Sequence, residues 1–119
     1  MQFEDLAVWK RSRSLSIEVY KELSGLRDFS FKDQVTRSVL SVPSNIAEGL
    51  EREYRKEKIR FLIIAKGSLG EFRTQIDIGS EIGYIQKDIA KRWIQEAVEL
   101  SKMLAAFIKT IENAVATSN

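Results

Sequence analysis

The sequence predicts an all-α protein folded as an antiparallel up-down four-helix bundle, with helices at about residues 4–24, 31–50, 56–83 and 88–113. Three observations predict it. Apolar residues recur at helical spacing through four long segments. The connections between those segments are short, which sets successive helices side by side and antiparallel. No segment alternates with the period of a strand. With 119 residues, the chain has the length of one domain spanning 1–119. That is enough to bury roughly two-thirds of the unfolded surface.

The first helix is marked by Leu6, Val8, Trp9, Leu15, Ile17, Val19, Tyr20 and Leu23, which cover about half of a helical wheel. Glu4 and Asp5 suit the positive end of its dipole. Phe3 can staple its start, and Gly25 is the expected C-cap. Gly25, Asp28 and Ser30 punctuate the first connection, with Ser30 placed to cap the second helix and Asp33 three residues on.

The second helix carries Val35, Val39, Val42, Ile46 and Leu50 as its core stripe. The only proline, Pro43, sits inside it. A proline in a helix interior frees one carbonyl and costs about 3 kcal/mol, so a bend or a partner for that carbonyl is expected. Arg37, Ser41, Ser44, Glu48 and Arg52 form a separate stripe opposite the valines, and Glu48 and Arg52 stand four residues apart as an ion pair. This stripe reads either as a solvated face or as a subunit or ligand surface.

Gly49 and the charged run that follows predict a break near residues 51–55. Leu62, Ala65, Leu69, Phe72, Ile76, Gly79 and Gly83 then give the seam of the third helix. Ile64, Ile78 and Ile82 widen its apolar arc, and Ser68, Glu71 and Gln75 fall within that second zone. A carboxylate there needs a partner, with Arg37 and Arg73 as candidates, or reaches solvent from the edge of the stripe. Gly67, Gly70, Gly79 and Gly83 are many glycines for one helix, and close backbone packing is the usual compensation. Gly83 ends the helix, residues 84–87 turn, and Asp88 opens the fourth helix. Trp93, Ala97, Leu100, Leu104, Phe107 and Ile111 give that helix the cleanest seam in the chain. Residues 114–119 are expected to fray.

Composition narrows the chemistry. The chain has no cysteine and no histidine, which excludes disulfides, zinc–thiolate sites, histidine acid–base catalysis and the Glu-x-x-His di-iron sites of many bundles. No apolar run approaches the ~20 residues of a membrane span, and the start lacks a signal-peptide pattern. The expected setting is cytoplasmic, without membrane contact. Net charge is +2, unevenly placed. Residues 52–66 hold six basic residues against two acidic ones. Within that run Arg52, Arg55, Lys56, Lys58 and Arg60 stand close together, and Lys10, Arg11 and Arg13 form a second cluster. These eight residues are the candidate contacts to RNA or DNA, the bland alternative being a solvated helix start. Arg37, Ser41, Ser44, Glu48 and Glu71 are the candidates for an oligomer or partner surface.

The residues Phe3, Leu6, Val8-Trp9, Tyr20, Gln34-Val35 and Arg37-Ser38 recur in one order with the run Ser41-Val42-Pro43-Ser44-Asn45-Ile46-Ala47-Glu48-Gly49. Phe61-Leu62, Ala65-Lys66-Gly67-Ser68-Leu69-Gly70-Glu71, Thr74 and Gly83-Tyr84 continue it. Over about residues 3–85 this pattern resembles the four-helix-bundle family of proteins encoded in bacterial 23S rRNA intervening sequences. The run from Pro43 to Gly49 is its most specific part, and the fourth helix matches only in general pattern. Gly70 departs from the acidic or bulky residue the family usually shows there. The resemblance implies a ring, a homopentamer, and kinship with the accessory variability protein of diversity-generating retroelements, a basic pentamer that works with a reverse transcriptase and nucleic acid. It implies no enzyme.

The function expected is therefore a non-enzymatic, ring-forming bundle that binds nucleic acid through basic surfaces, with no cofactor or metal. The alternative is a protein adaptor, for example for a reverse transcriptase, with no direct nucleic-acid contact. An enzyme is disfavoured because Glu48, Glu71, Asp77 and Glu81 have no accompanying base, nucleophile or ligand set.

Overall fold

The computed structural model describes the backbone of residues 2–118 and the side chains of residues 2–114. A short 3₁₀ turn at Phe3–Asp5 precedes four helices: α1 (Ala7–Glu22), α2 (Phe29–Leu50), α3 (Arg55–Glu81) and α4 (Lys87–Ser118). No strand occurs among the described residues. Each helix packs on its neighbours in the chain, and α1 closes the bundle against α4, so α1 and α3 face each other across the diagonal. The four-helix bundle read from the periodicity is the fold.

The core follows the seams. Val35, Val39, Val42 and Ile46 of α2 are fully buried, as are Leu69, Phe72 and Ile76 of α3 and Trp93, Ala97, Leu100 and Leu104 of α4. Val8, Leu15, Val19 and Leu23 complete it from α1. Phe72 and Trp93, its two largest fully buried side chains, lie with ring centroids 6.4 Å apart. Each large side chain buried this way contributes about 1.5–3 kcal/mol.

The helix ends differ from the sequence reading in instructive ways. Glu4 and Asp5 lie in the separate 3₁₀ turn, because Leu6 is extended (φ −80°, ψ 131°) and α1 begins only after it. Phe3 still packs edge-on to Trp9, with centroids 5.3 Å apart. The cap of α2 is Asp28, two residues before Ser30; its carboxylate accepts from the Phe31 amide at 3.0 Å. Gly25 is not in the left-handed region; Gly83 is the one described glycine with positive φ, at 83°. There it ends α3 in a Schellman motif, with Tyr84 N–H donating to Gly79 O at 2.8 Å and Gly83 N–H to Ser80 O at 3.2 Å. The helix α4 continues to Ser118 rather than stopping near 113. Asn119 lies outside the described residues.

Pro43 is buried inside α2, and its partner is in α1. The amide that proline lacks would have bonded the Val39 carbonyl. Instead Ser16 Oγ donates to Val39 O at 3.1 Å, sharing its proton with Ser12 O at 2.8 Å. Ser12 and Ser16 are both buried, and their small size brings α1 close to α2 at this point.

The glycines divide into two kinds. A Cβ on Gly49 would lie 2.9 Å from Phe61 Cβ and 3.1 Å from the Lys58 carbonyl, so Gly49 sets the approach of α3 to the end of α2. A Cβ on Gly79 would meet Ile85 and Phe31, each at 2.8 Å. Gly67 and Gly70 face open space, so packing within the chain does not account for them.

Candidate functional site

An antiparallel bundle sorts its residues by end. The start of α1, the end of α2 and the start of α3 point toward one end, so both basic clusters lie on helix segments turned that way, the α1 cluster further in, where Arg11 is level with Glu96 of α4. They sit on diagonal helices, with Lys10, Arg11 and Arg13 on the first turns of α1 and Arg55, Lys56, Lys58 and Arg60 on those of α3. Arg52 lies in the connection between α2 and α3.

Not all eight are equally available. Arg11 reaches across to α4, where its Nε and Nη2 donate to Glu96 at 3.0 and 2.5 Å, with Glu99 3.5 Å away. The hydrogen bond to Glu96 raises the pKa of this guanidinium well above its ordinary value. Arg52 pairs with Glu48 at 2.5 Å, the i,i+4 pair expected from the sequence. Lys58 Nζ donates to the Leu50 carbonyl at 3.2 Å, which ties the start of α3 to the end of α2. Arg52 and Arg60 both lie over the Phe61 ring, at 4.8 and 4.7 Å from its centre. Lys10, Arg13 and Lys56 are exposed and Arg55 half-buried, and none of the four has an ion-pair partner among the described residues.

The stripe opposite the valines is on the outside of α2. Arg37, Ser44 and Glu48 are exposed and Ser41 is half-buried. Arg37 pairs along its own helix with Asp33 at 3.0 Å, and Glu71 is exposed without an ion pair among the described residues. The carboxylate of Glu71 thus reaches solvent, the second of the two readings. Where α2 meets α3 the polar side chains join. Ser38 Oγ donates to Gln75 Oε1 at 2.6 Å, Ser41 and Ser68 share a hydrogen bond of 2.9 Å, and Asn45 Nδ2 donates to Ser41 O and Oγ at 2.8 Å. These bonds line a shallow groove of about 300 Å³. On the flank of α3, Ile64, Ile78 and Ile82 are exposed rather than packed.

A larger groove of about 490 Å³ runs between α1 and α4, floored by Leu15 and Trp93. Glu18 is its hub. It accepts from Arg92 at 2.7 Å and from the indole N–H of the buried Trp93. The Arg92 hydrogen bond is the main reason its pKa falls below the ordinary carboxylate value, with the Trp93 bond acting the same way and burial opposing both. Arg11 with Glu96 and Arg92 with Glu18 pair across this groove and hold α1 on α4, while Lys10, which also lines it, has no ion-pair partner among the described residues.

No group of three or more His, Cys, Asp or Glu residues placed to hold a metal exists among the described residues. Asp77 and Glu81 are exposed on α3. No helix among the described residues is long and apolar enough to cross a membrane.

Three residues escaped the sequence reading. Ser16 has no local signal, because its role depends on a carbonyl 23 residues away in another helix. Phe61 reads as one more apolar residue, yet it seats two arginines. Tyr54 falls in the predicted break, outside every periodic pattern, and is 68% exposed. An aromatic residue set in a charged, non-periodic connection is the signal that would have found it.

Comparison with known proteins follows the fold. The crystal structure of a protein with unknown function from the S23 ribosomal protein family of Bacteroides thetaiotaomicron VPI-5482 superposes with a TM-score of 0.81. The match covers 87% of this chain and 99% of that one at 24% identity, a likeness of fold. No curated protein matches the chain. The pattern of the family described as "23S rRNA-intervening sequence protein" matches residues 4–106, from the first 3₁₀ turn to beyond the buried part of α4. The chain belongs to the 23S rRNA-intervening sequence protein family.

Proposed function

We propose that this protein is a non-enzymatic, self-assembling helical bundle whose basic end binds nucleic acid. The observation that carries the reading is topological. The antiparallel order of the helices puts two clusters some forty residues apart in the sequence on helix segments that run to the same end of the bundle. A chain of net charge +2 gains little field from composition alone. A basic end repeated around a symmetry axis gains much more.

Self-assembly has separate support. Ile63, Ile64 and Ile78 on α3 and Ile82 at its C-cap are exposed, each at 41% or more. Gly67 and Gly70, on the same helix, face open space. The resemblance noted above makes a ring of five copies the assembly to test. Those same isoleucines also suit an adaptor that docks a partner enzyme, and this is the second reading.

Filter binding of an RNA at two salt concentrations tests the first reading, and light scattering tests the assembly. Phosphate contacts predict affinity that falls steeply with salt, and a ring of five predicts a mass near five times 13.6 kDa. No binding at low salt excludes the nucleic-acid role and leaves the adaptor. A mass of 13.6 kDa excludes the ring.

A further inference from the structure

Tyr54 is the residue at the basic end that folding does not explain. It occupies the N-cap position of α3, where a small polar residue that bonds the helix amides is the usual choice, and its side chain makes no such bond. Its ring is 68% exposed and its hydroxyl has no protein partner among the described residues. Among the described residues the other aromatic ring as exposed as this, Phe29 at 70%, lies at the opposite end, with the Lys32 ammonium 4.9 Å from its centre.

The backbone beneath Tyr54 is fixed. Glu51 N–H donates to Ala47 O at 3.1 Å and Arg52 N–H to Gly49 O at 3.1 Å, closing α2. Glu57 and Lys58 N–H groups donate to the Tyr54 carbonyl at 3.1 and 3.0 Å, opening α3. With Lys58 Nζ bound to Leu50 O, the whole connection is braced. An exposed ring on a rigid seat loses little freedom when a flat ligand covers it.

Charge around the ring is limited. Of the basic residues in 52–60, Arg52 is committed to Glu48 and Lys58 to Leu50 O, while Glu53 and Glu57 stand in the same segment. Arg55, Lys56 and Arg60 remain to meet phosphates, and Phe61 steadies the Arg60 guanidinium. Three phosphate contacts make a weak clamp on a duplex, whose bases are stacked away from side chains. A single strand offers unstacked bases, and base–aromatic stacking adds the affinity that charge does not supply.

Resting on the nucleic-acid reading above, we propose that Tyr54 is a stacking platform for an unpaired base, so that the basic end selects single-stranded over duplex nucleic acid, with Arg55, Lys56 and Arg60 holding the flanking phosphates.

Fluorescence anisotropy with a labelled 20-nucleotide RNA, the DNA strand of the same sequence and the corresponding RNA duplex tests this on the full chain. Loss of one stacked base predicts that Tyr54→Ala weakens single-strand binding by about 5- to 150-fold. The same variant should change duplex affinity by less than twofold and leave the salt slope as it was. Tyr54→Phe should retain single-strand affinity within twofold, and Phe29→Ala should leave it unchanged. The double variant Arg55→Ala/Lys56→Ala should weaken single strand and duplex alike and flatten the salt slope, which three contacts set near −2 for a single strand. The RNA and DNA strands should respond to Tyr54→Ala alike, since stacking ignores the sugar. A drop confined to one of them would replace the stacking platform with a sugar contact. If Tyr54→Ala has no effect while Arg55→Ala/Lys56→Ala does, or if the duplex binds more tightly, stacking is overturned and the nucleic-acid reading stands. If neither strand nor duplex binds at low salt, that reading itself fails. Helicity by circular dichroism, unchanged in every variant, separates these outcomes from misfolding.

Discussion

Replacing Ser16 with alanine should destabilise the bundle through a carbonyl in a different helix. Pro43 removes the amide that would serve Val39 O, and Ser16 Oγ stands in for it at 3.1 Å. Ser16 is 5% exposed, so water has little access to replace the hydroxyl. A buried acceptor left without a donor costs about 1–3 kcal/mol, which for a chain of this size is a fall of roughly 4 °C in Tm per kcal/mol. The reasoning is tested by a double-mutant cycle rather than by the single variant. In a Pro43→Ala background the restored backbone amide at that position bonds Val39 O directly, and Ser16→Ala should then cost less than about 0.5 kcal/mol. Urea unfolding followed by circular dichroism, at one protein concentration throughout, gives all four stabilities. A coupling of about 1–2 kcal/mol supports the account. Additivity within ~0.5 kcal/mol would refute it and leave Pro43 to be explained by packing alone.

Further predictions concern packing, charge and assembly. Gly49→Ala forces a Cβ to within 2.9 Å of Phe61 Cβ and 3.1 Å of a backbone carbonyl, and should cost about 1–3 kcal/mol in a denaturant melt. Gly67→Ala, into open space, should raise helix stability by up to ~1 kcal/mol. If that face is an interface, the same change lowers the assembled mass in light scattering. Glu18 titrates below its ordinary value of 4.5 in the folded protein. Its pairing therefore contributes stability that is fully present above pH ~4.5 and lost as pH falls through the lower folded value. The difference in Tm between the parent and Glu18→Gln should accordingly shrink from pH 7 to pH 3, and it should be modest because the carboxylate is 41% exposed. Ser44→Leu and Glu48→Leu, on the outer face of α2, should leave stability within about 0.5 kcal/mol while reducing assembly or binding; equal losses of helicity would count against that face being a surface of use.

The bundle was legible because its cores are periodic. The stripe Val35, Val39, Val42, Ile46 and the seam from Leu62 to Gly79 are buried where their spacing places them. So was the break after α2, since dense charge beside Gly49 offers nothing to pack. The ends were less legible. Asp28 rather than Ser30 caps α2 because either residue can accept an amide, and which one does depends on the turn before it. Gly25 and Gly83 look alike in sequence, but only Gly83 takes positive φ. The half-wheel arcs of α1 and α3 hold more apolar surface than one bundle buries, and Ile17, Tyr20, Ile64, Ile78 and Ile82 remain exposed. Sequence located the basic clusters without showing that their helix segments run to the same end, because that follows from topology. It could not say which charges are already used, because Glu96 and the Leu50 carbonyl reach Arg11 and Lys58 only in the folded chain.

The central claim is that one end of the bundle binds nucleic acid. The most direct test compares charge removal at the two ends, with Arg13, Arg55, Lys56 and Arg60 changed to alanine in one variant and Arg27, Lys32, Lys87 and Lys91 in the other. Both lose four positive charges, so net charge cannot distinguish them. With a labelled 20-nucleotide RNA titrated between 50 and 200 mM salt, the account predicts that the first variant loses most of its affinity and its salt dependence, while the second binds nearly as the parent does. Equal losses in the two variants, or a parent that does not bind at 50 mM salt, would contradict it.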